Sequence, residues 1–170
     1  MLLVKRGTTS RITQTRRQAR QRTIRTPTLA QEVVVPHARG ETVFKAAPRT
    51  VAVFDLAALD ILNALGVEAV AGVPKGAEGN GNFPPHLARY KDARYRNVGT
   101  LFEPDAAALA ALKPDLIVVG GRSARSHDRM TEIAPTIDLS TTGLGLADAA
   151  IGNTRKLGRV FGASARAEER

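Results

Sequence analysis

Residues Val98–Arg122 read VGTLFEPDAAALAALKPDLIVVGGR. A turn comes first, then a short helix opened by Glu103-Pro104-Asp105 and stopped at Lys113-Pro114. Leu116-Ile117-Val118-Val119 follow as an apolar strand, which runs into Gly120-Gly121 and then Arg122. A strand apolar at every position is buried on both faces, the mark of a parallel sheet covered by helices. In such sheets ligands bind beyond the carboxyl ends of the strands. Arg122 therefore stands where an anion would be met.

The flanking segments repeat the alternation. Pro48 precedes a strand over Thr50–Phe54, and Asp55 is placed to cap a helix whose stripe is Leu56, Leu59, Leu62 and Leu65, closed by Gly66. Val67–Val73 reads as the next strand and ends at Pro74-Lys75. Gly76–Pro85 is a loop, and His86–Tyr95 a short helix carrying Arg89, Lys91 and Arg94. Beyond the opening motif, Ser123 or Ser126 caps a helix to Ala134 with Met130 and Ile133 inward. A strand over Thr136–Leu139 comes next, then an amphipathic helix over Leu146–Phe161 (Ala150, Ile151, Thr154, Leu157, Phe161) capped by Gly162. Ala163–Arg170 begins another helix. Upstream, Glu32–Phe44 alternates around His37-Ala38-Arg39-Gly40 and predicts a β-hairpin. The fold class is α/β, a Rossmann-like parallel-sheet lobe with helices on both faces. The turns after Phe54, Val73, Val119 and Leu139 are expected to line one edge.

Charge has to be located before it is interpreted. The chain carries a net +9, but residues 1–28 hold eight basic groups and no acid, leaving 17 basic against 16 acidic groups elsewhere. The folded part is close to neutral, so no specific nucleic-acid partner is expected. Residues 1–31 read as a basic leader. Leu29-Ala30-Gln31-Glu32 looks like the end of an export signal, yet only Met1–Val4 is apolar where such a signal needs roughly 7–15 apolar residues. The expectation is a degenerate signal peptide, with a basic tail for polyanions or a start region in the wrong frame as rivals. No run approaches the ~18 apolar residues of a membrane span. The absence of cysteine excludes a disulfide framework and thiolate metal sites.

Few residues carry chemistry. His37, His86 and His127 stand apart in sequence with no metal-ligand spacing, and read as surface or turn histidines. The Gly76–Gly81 loop lacks the lysine and hydroxyl residue of a phosphate loop. Arg122 offers planar, bidentate contact to anionic oxygens, although a solvated arginine at a strand end reads the same. Glu103 either complements the dipole of the helix it opens or presents a carboxylate to a partner's arginine.

The runs RTVAVFDLAALDILNALGV, VAGVPKG, YRNVGTLFEPDAAALAALKPDLIVVGGR and IAPTIDLS, in this order, resemble the periplasmic iron–siderophore-binding proteins of ABC importers. The likeness is to the class III, helical-backbone group of enterobactin/petrobactin type and covers about Glu32 to Phe161. It implies a carrier and not an enzyme, the N-terminal half of a two-lobed periplasmic binding protein, with no cofactor and a ferric siderophore of catecholate type as ligand. It also implies that Arg122 meets the anionic chelate, that Lys75 is a second pocket residue, and that Glu103 docks the permease in the inner membrane. Residues 32–145 would be the lobe, and 146–170 a helix and the start of a truncated interlobe helix. By this likeness the second lobe is missing, so the isolated chain should bind chelate more weakly than micromolar. The Gly76–Asn82 loop is longer than the family pattern. A haem or cobalamin receptor of the same class is the alternative, and a small Rossmann-like nucleotide-binding protein a further one. Against the last, Asp55-Leu56-Ala57-Ala58 after the first strand is acidic and glycine-free.

Overall fold

The computed structural model describes residues 28–141, 143 and 145–169. The leader expected over residues 1–31 lies outside the described residues up to Pro27. An antiparallel hairpin comes first, β1 (Thr28–His37) and β2 (Gly40–Ala46), its turn at Ala38-Arg39. The hairpin forms where the alternation predicts, but β1 begins at Thr28 and not Glu32.

The remaining strands are β3 (Val51–Val53), β4 (Val70–Val73), β5 (Arg96–Asn97), β6 (Leu116–Val119) and β7 (Thr136–Asp138). They form one five-stranded sheet in the order β5-β4-β3-β6-β7, parallel throughout. The helices are α1 (Leu56–Ala64), α2 (Ala106–Leu112), α3 (His127–Thr131), α4 (Leu146–Val160) and α5 (Ser164–Glu168), with 3-10 helices at Pro85–Lys91 and Gly121–Ser126.

The period of two along each strand divides the core into two layers. Val51, Val53, Leu116, Val118 and Ile137 pack with Leu59 and Leu62 of α1, Leu157 and Val160 of α4, and Val35 and Phe44 of the hairpin. Ala52, Phe54, Ile117 and Val119 face the other way, against Leu109 of α2 and Met130 of α3. Both faces are therefore covered, as the all-apolar β6 requires. Burying each large side chain such as Leu59 or Leu116 contributes roughly 1.5–3 kcal/mol.

Local signals set the ends. Asp55 Oδ1 accepts the N–H groups of Ala57 and Ala58 and caps α1, and Asp105 Oδ1 accepts that of Ala108 and caps α2. Lys113, at φ 52°, and Pro114 stop α2 as expected.

Several expectations are corrected. β4 starts at Val70, because residues 67–69 complete the turn out of α1. The Pro85–Lys91 segment is a 3-10 helix that ends before Arg94. The helix expected from Ser123 or Ser126 to Ala134 is a 3-10 helix followed by the short α3, and neither serine caps it in the usual way. In α4 the inward residues are Ala149, Leu157, Gly158 and Val160, whereas Ala150 and Ile151 are exposed. The alanine- and glycine-rich first half of that helix gives its hydrophobic stripe a blurred phase.

Candidate functional site

The turns after β3, β4, β6 and β7 line the carboxyl edge of the sheet, where three cavities run together. The first, about 460 Å³, lies among Leu56, Pro74, Lys75, Phe83, Leu101 and Phe102. The second, about 170 Å³, is bounded by Asp55, Leu56, Leu101, Gly120 and Arg122. The third, about 530 Å³, adjoins the second through Asp55, Ala57 and Gly121 and extends to Ser140 and Leu146. Leu56 and Leu101 are common to the first two, so the three form one trench.

Arg122 is exposed on the wall of the central cavity and makes no ion pair among the described residues. Its backbone is held firmly. Gly121, at φ +52°, turns the chain where an L side chain is strained, and its N–H donates to Ser140 Oγ at 2.9 Å. Ser123 is fully buried; its hydroxyl accepts the Gly120 N–H at 3.1 Å and lies 2.9 Å from the Phe54 carbonyl. That serine ties the ends of β3 and β6 together one residue after Arg122. Asp55 lines the same cavity, but the two N–H groups of α1 that its carboxylate accepts offset its charge.

Lys75 lines the first cavity while its Nζ donates to the carbonyls of Lys91 (3.1 Å) and Asp92 (2.7 Å). The residue is buried, and burial lowers the ammonium pKa, with Asp92 opposing the shift. Glu103 is exposed at the outer rim. The turn carrying it is fixed by Thr100, whose Oγ1 accepts the N–H of Glu103 at 2.8 Å and whose N–H donates to the Glu103 carbonyl at 2.9 Å. The structure thus gathers Arg122 and Lys75 along one trench and sets Glu103 beside it, two residues beyond Leu101.

Asn97 is a residue that the sequence pattern does not reveal. Its Oδ1 accepts the N–H groups of Lys75 and Gly99, and its Nδ2 donates to the Gly76 carbonyl, so one side chain joins the loops after β4 and β5. The histidines are also corrected. His37 and His127 are not isolated: their rings lie 6.0 Å apart beside Asp138 and Asp128, and His127 is buried. His86 pairs with Asp60 at 3.3 Å. Residues 90 positions apart meet only because the hairpin folds over β7, which spacing cannot signal. Among the described residues no cluster of His, Cys, Asp and Glu could hold a metal ion.

A parallel sheet covered on both faces, with a trench along its carboxyl edge, defines the class: an α/β ligand-binding lobe. A TroA-like periplasmic binding protein from Xylanimonas cellulosilytica superposes with a TM-score of 0.65 at 46% identity, over 76% of this chain and 41% of that one. The homologues of the chain are siderophore-binding proteins. It is 36% identical over 115 residues to the petrobactin-binding protein YclQ of Bacillus subtilis, a match covering 67% of this chain and 35% of YclQ. The periplasmic catecholate-siderophore binding protein VctP of Vibrio cholerae superposes with a TM-score of 0.73 at 35% identity, over 82% of this chain and 48% of VctP. The chain thus spans about a third of the length of YclQ and about half that of VctP. No family model matches it.

Proposed function

We propose that this chain is part of the substrate-binding component of an ABC importer for ferric siderophores, acting in the periplasm. Residues 32–145 form the lobe that makes one wall of the binding cleft, and residues 146–170 lead out of it. The chelate is of the catecholate type. The observation that carries this reading is Arg122, an exposed guanidinium without an ion-pair partner among the described residues, held on a fixed backbone in the trench. A ferric tris-catecholate is strongly anionic, so a free guanidinium in a cleft both steers and holds it. The reading involves binding and release alone, with no bond made or broken.

Lys75 contributes differently. Its ammonium is tied to two carbonyls, so it sets the positive potential of the cavity wall and leaves direct contact to Arg122. Glu103 presents its carboxylate beside the trench mouth, where a permease arginine can reach it while the cleft is occupied. The nucleotide-binding alternative loses support because Asp55 occupies the first N–H groups of α1, the donors that a phosphate after β3 would need.

The test is an NMR titration of the chain with gallium tris-catecholate, in which gallium(III) replaces iron and avoids paramagnetic broadening. Shifts are expected at Gly120, Gly121 and Arg122, with an affinity weaker than micromolar for this lobe by itself. Arg122→Ala should abolish them without unfolding the chain. Shifts that persist in Arg122→Ala would overturn the assignment.

A further inference from the structure

The first cavity has a character that the arginine site lacks. Its floor is apolar, made by Leu56, Pro74, Phe83 and Leu101, and its lip is Phe102. Phe102 is 50% exposed, in contrast to the 7% of Phe83 beneath. The turn that carries the ring is fixed: Thr100 Oγ1 accepts the backbone N–H groups of both Phe102 (3.2 Å) and Glu103. On one face the ring carries the guanidinium of Arg125, 5.5 Å from the ring centroid. The polar rim offers Glu78, held by the Asn80 amide at 3.1 Å.

An aromatic ring kept in water at the mouth of an apolar cavity has hydrophobic surface left to bury. A cation on one face draws π density from the ring and favours an electron-rich aryl group stacked on the other. The cavity joins the Arg122 site through Leu56 and Leu101, and its volume of about 460 Å³ admits a substituted ring. We propose that it is an aryl subsite, taking one aromatic arm of an anionic chelate whose charge rests on Arg122, with Phe102 as the specificity-determining residue. The inference rests on the chelate-binding reading and deepens it: apolar floor and free guanidinium together select ligands that are both aromatic and anionic. Arg125 is a positioning residue, acting through the Phe102 ring.

The experiment compares the full chain with Phe102→Leu, Phe102→Tyr and Arg125→Gln by NMR titration. The probes are gallium tris-catecholate, gallium citrate as an anion without aryl groups, and metal-free dihydroxybenzoate. Phe102→Leu is expected to weaken the tris-catecholate about three- to tenfold, the worth of an aromatic pair. Phe102→Tyr should restore it, Arg125→Gln should weaken it less, and gallium citrate should respond equally in all four proteins. Dihydroxybenzoate should shift Phe83, Leu101 and Phe102 in the wild type. If the anions bind and Phe102→Leu changes neither, or changes both alike, the aryl subsite alone is overturned. If no probe perturbs the wild-type trench, the chelate-binding reading falls and the subsite with it.

Discussion

Asp55 and Gly120 meet so closely across the floor of the trench that a Cβ on Gly120 would lie 2.0 Å from Asp55 Oδ2. The backbone of Gly120 is extended, at φ −177°, so contact and not conformation demands glycine there. Asp55 cannot yield freely, because its other oxygen caps α1. Gly120→Ala is expected to destabilise the fold, as is Asp55→Ala by about 1 kcal/mol for the lost cap. The double variant should cost less than the two combined, since removing the carboxylate vacates the space a methyl needs. Urea unfolding of the four proteins measures the coupling, and strict additivity would refute the contact.

Arg122→Lys separates charge from geometry. Lysine keeps the cation but loses the planar fork, so chelate affinity should fall by less than in Arg122→Ala yet stay clearly below wild type. A loss on the order of 1.5–3 kcal/mol is expected for the alanine variant, the range for hydrogen bonds to charged groups. Lysine matching arginine would show that only potential matters there.

Glu103 gives a prediction that leaves ligand affinity untouched. Glu103→Lys should reduce iron uptake in cells that depend on this protein while the titration with gallium tris-catecholate stays as in wild type. A matched fall in both would place Glu103 in the ligand site instead of at a docking surface.

His37 makes the fold sensitive to acid. Its Nδ1 accepts the N–H groups of Arg39 (3.3 Å) and Asp138 (3.4 Å), and Nε2 lies 3.2 Å from Thr42 Oγ1, so the neutral ring fits. Burial holds its pKa below the ordinary 6.5; His127 and Lys156 push the same way and Asp138 opposes. The unfolded chain therefore takes up this proton first. The stabilisation is full above 6.5 and is lost as pH falls below it towards the folded value. His37→Gln should show a shallower loss of thermal midpoint across that window. Parallel curves for the two proteins would sink the assignment.

Arg166 of α5 donates to the Leu65 carbonyl at the C-terminus of α1, at 2.5 Å. Loss of a charged donor to a part-buried carbonyl costs about 1.5–3 kcal/mol, so Arg166→Ala should lower stability by that order and loosen α5. Amide exchange of Ala167, whose N–H donates to the Ala163 carbonyl, reports the second effect. Unchanged exchange would mean that α5 is anchored elsewhere.

What could be read from the sequence follows the physics of each signal. The run Leu116–Val119 and the caps Asp55 and Asp105 announce themselves, because burial on two faces and orphan N–H groups each demand particular residue types nearby. β5 does not: Arg96 and Asn97 are polar, and only pairing with Gly72 and Val73 makes them a strand. The position of Arg122 in the trench was legible from the strand before it. The direction of the Lys75 ammonium was not, since its acceptors are carbonyls 16 and 17 residues away. Likewise, nothing in the spacing of His37 and His127 foretells that their rings approach.

β7 is the outermost strand on its side of the sheet, and outer strands expose donors and acceptors to any passing chain. At Asp138 both groups are already engaged: the N–H faces His37 Nδ1, and the carbonyl accepts the Ala38 N–H at 2.9 Å. The tip of the hairpin thus covers the Asp138 end of the template that would let one copy of this lobe recruit strands from another. Because Val35 and Phe44 also belong to the core, a chain lacking the hairpin would expose apolar surface along with an adhesive rim.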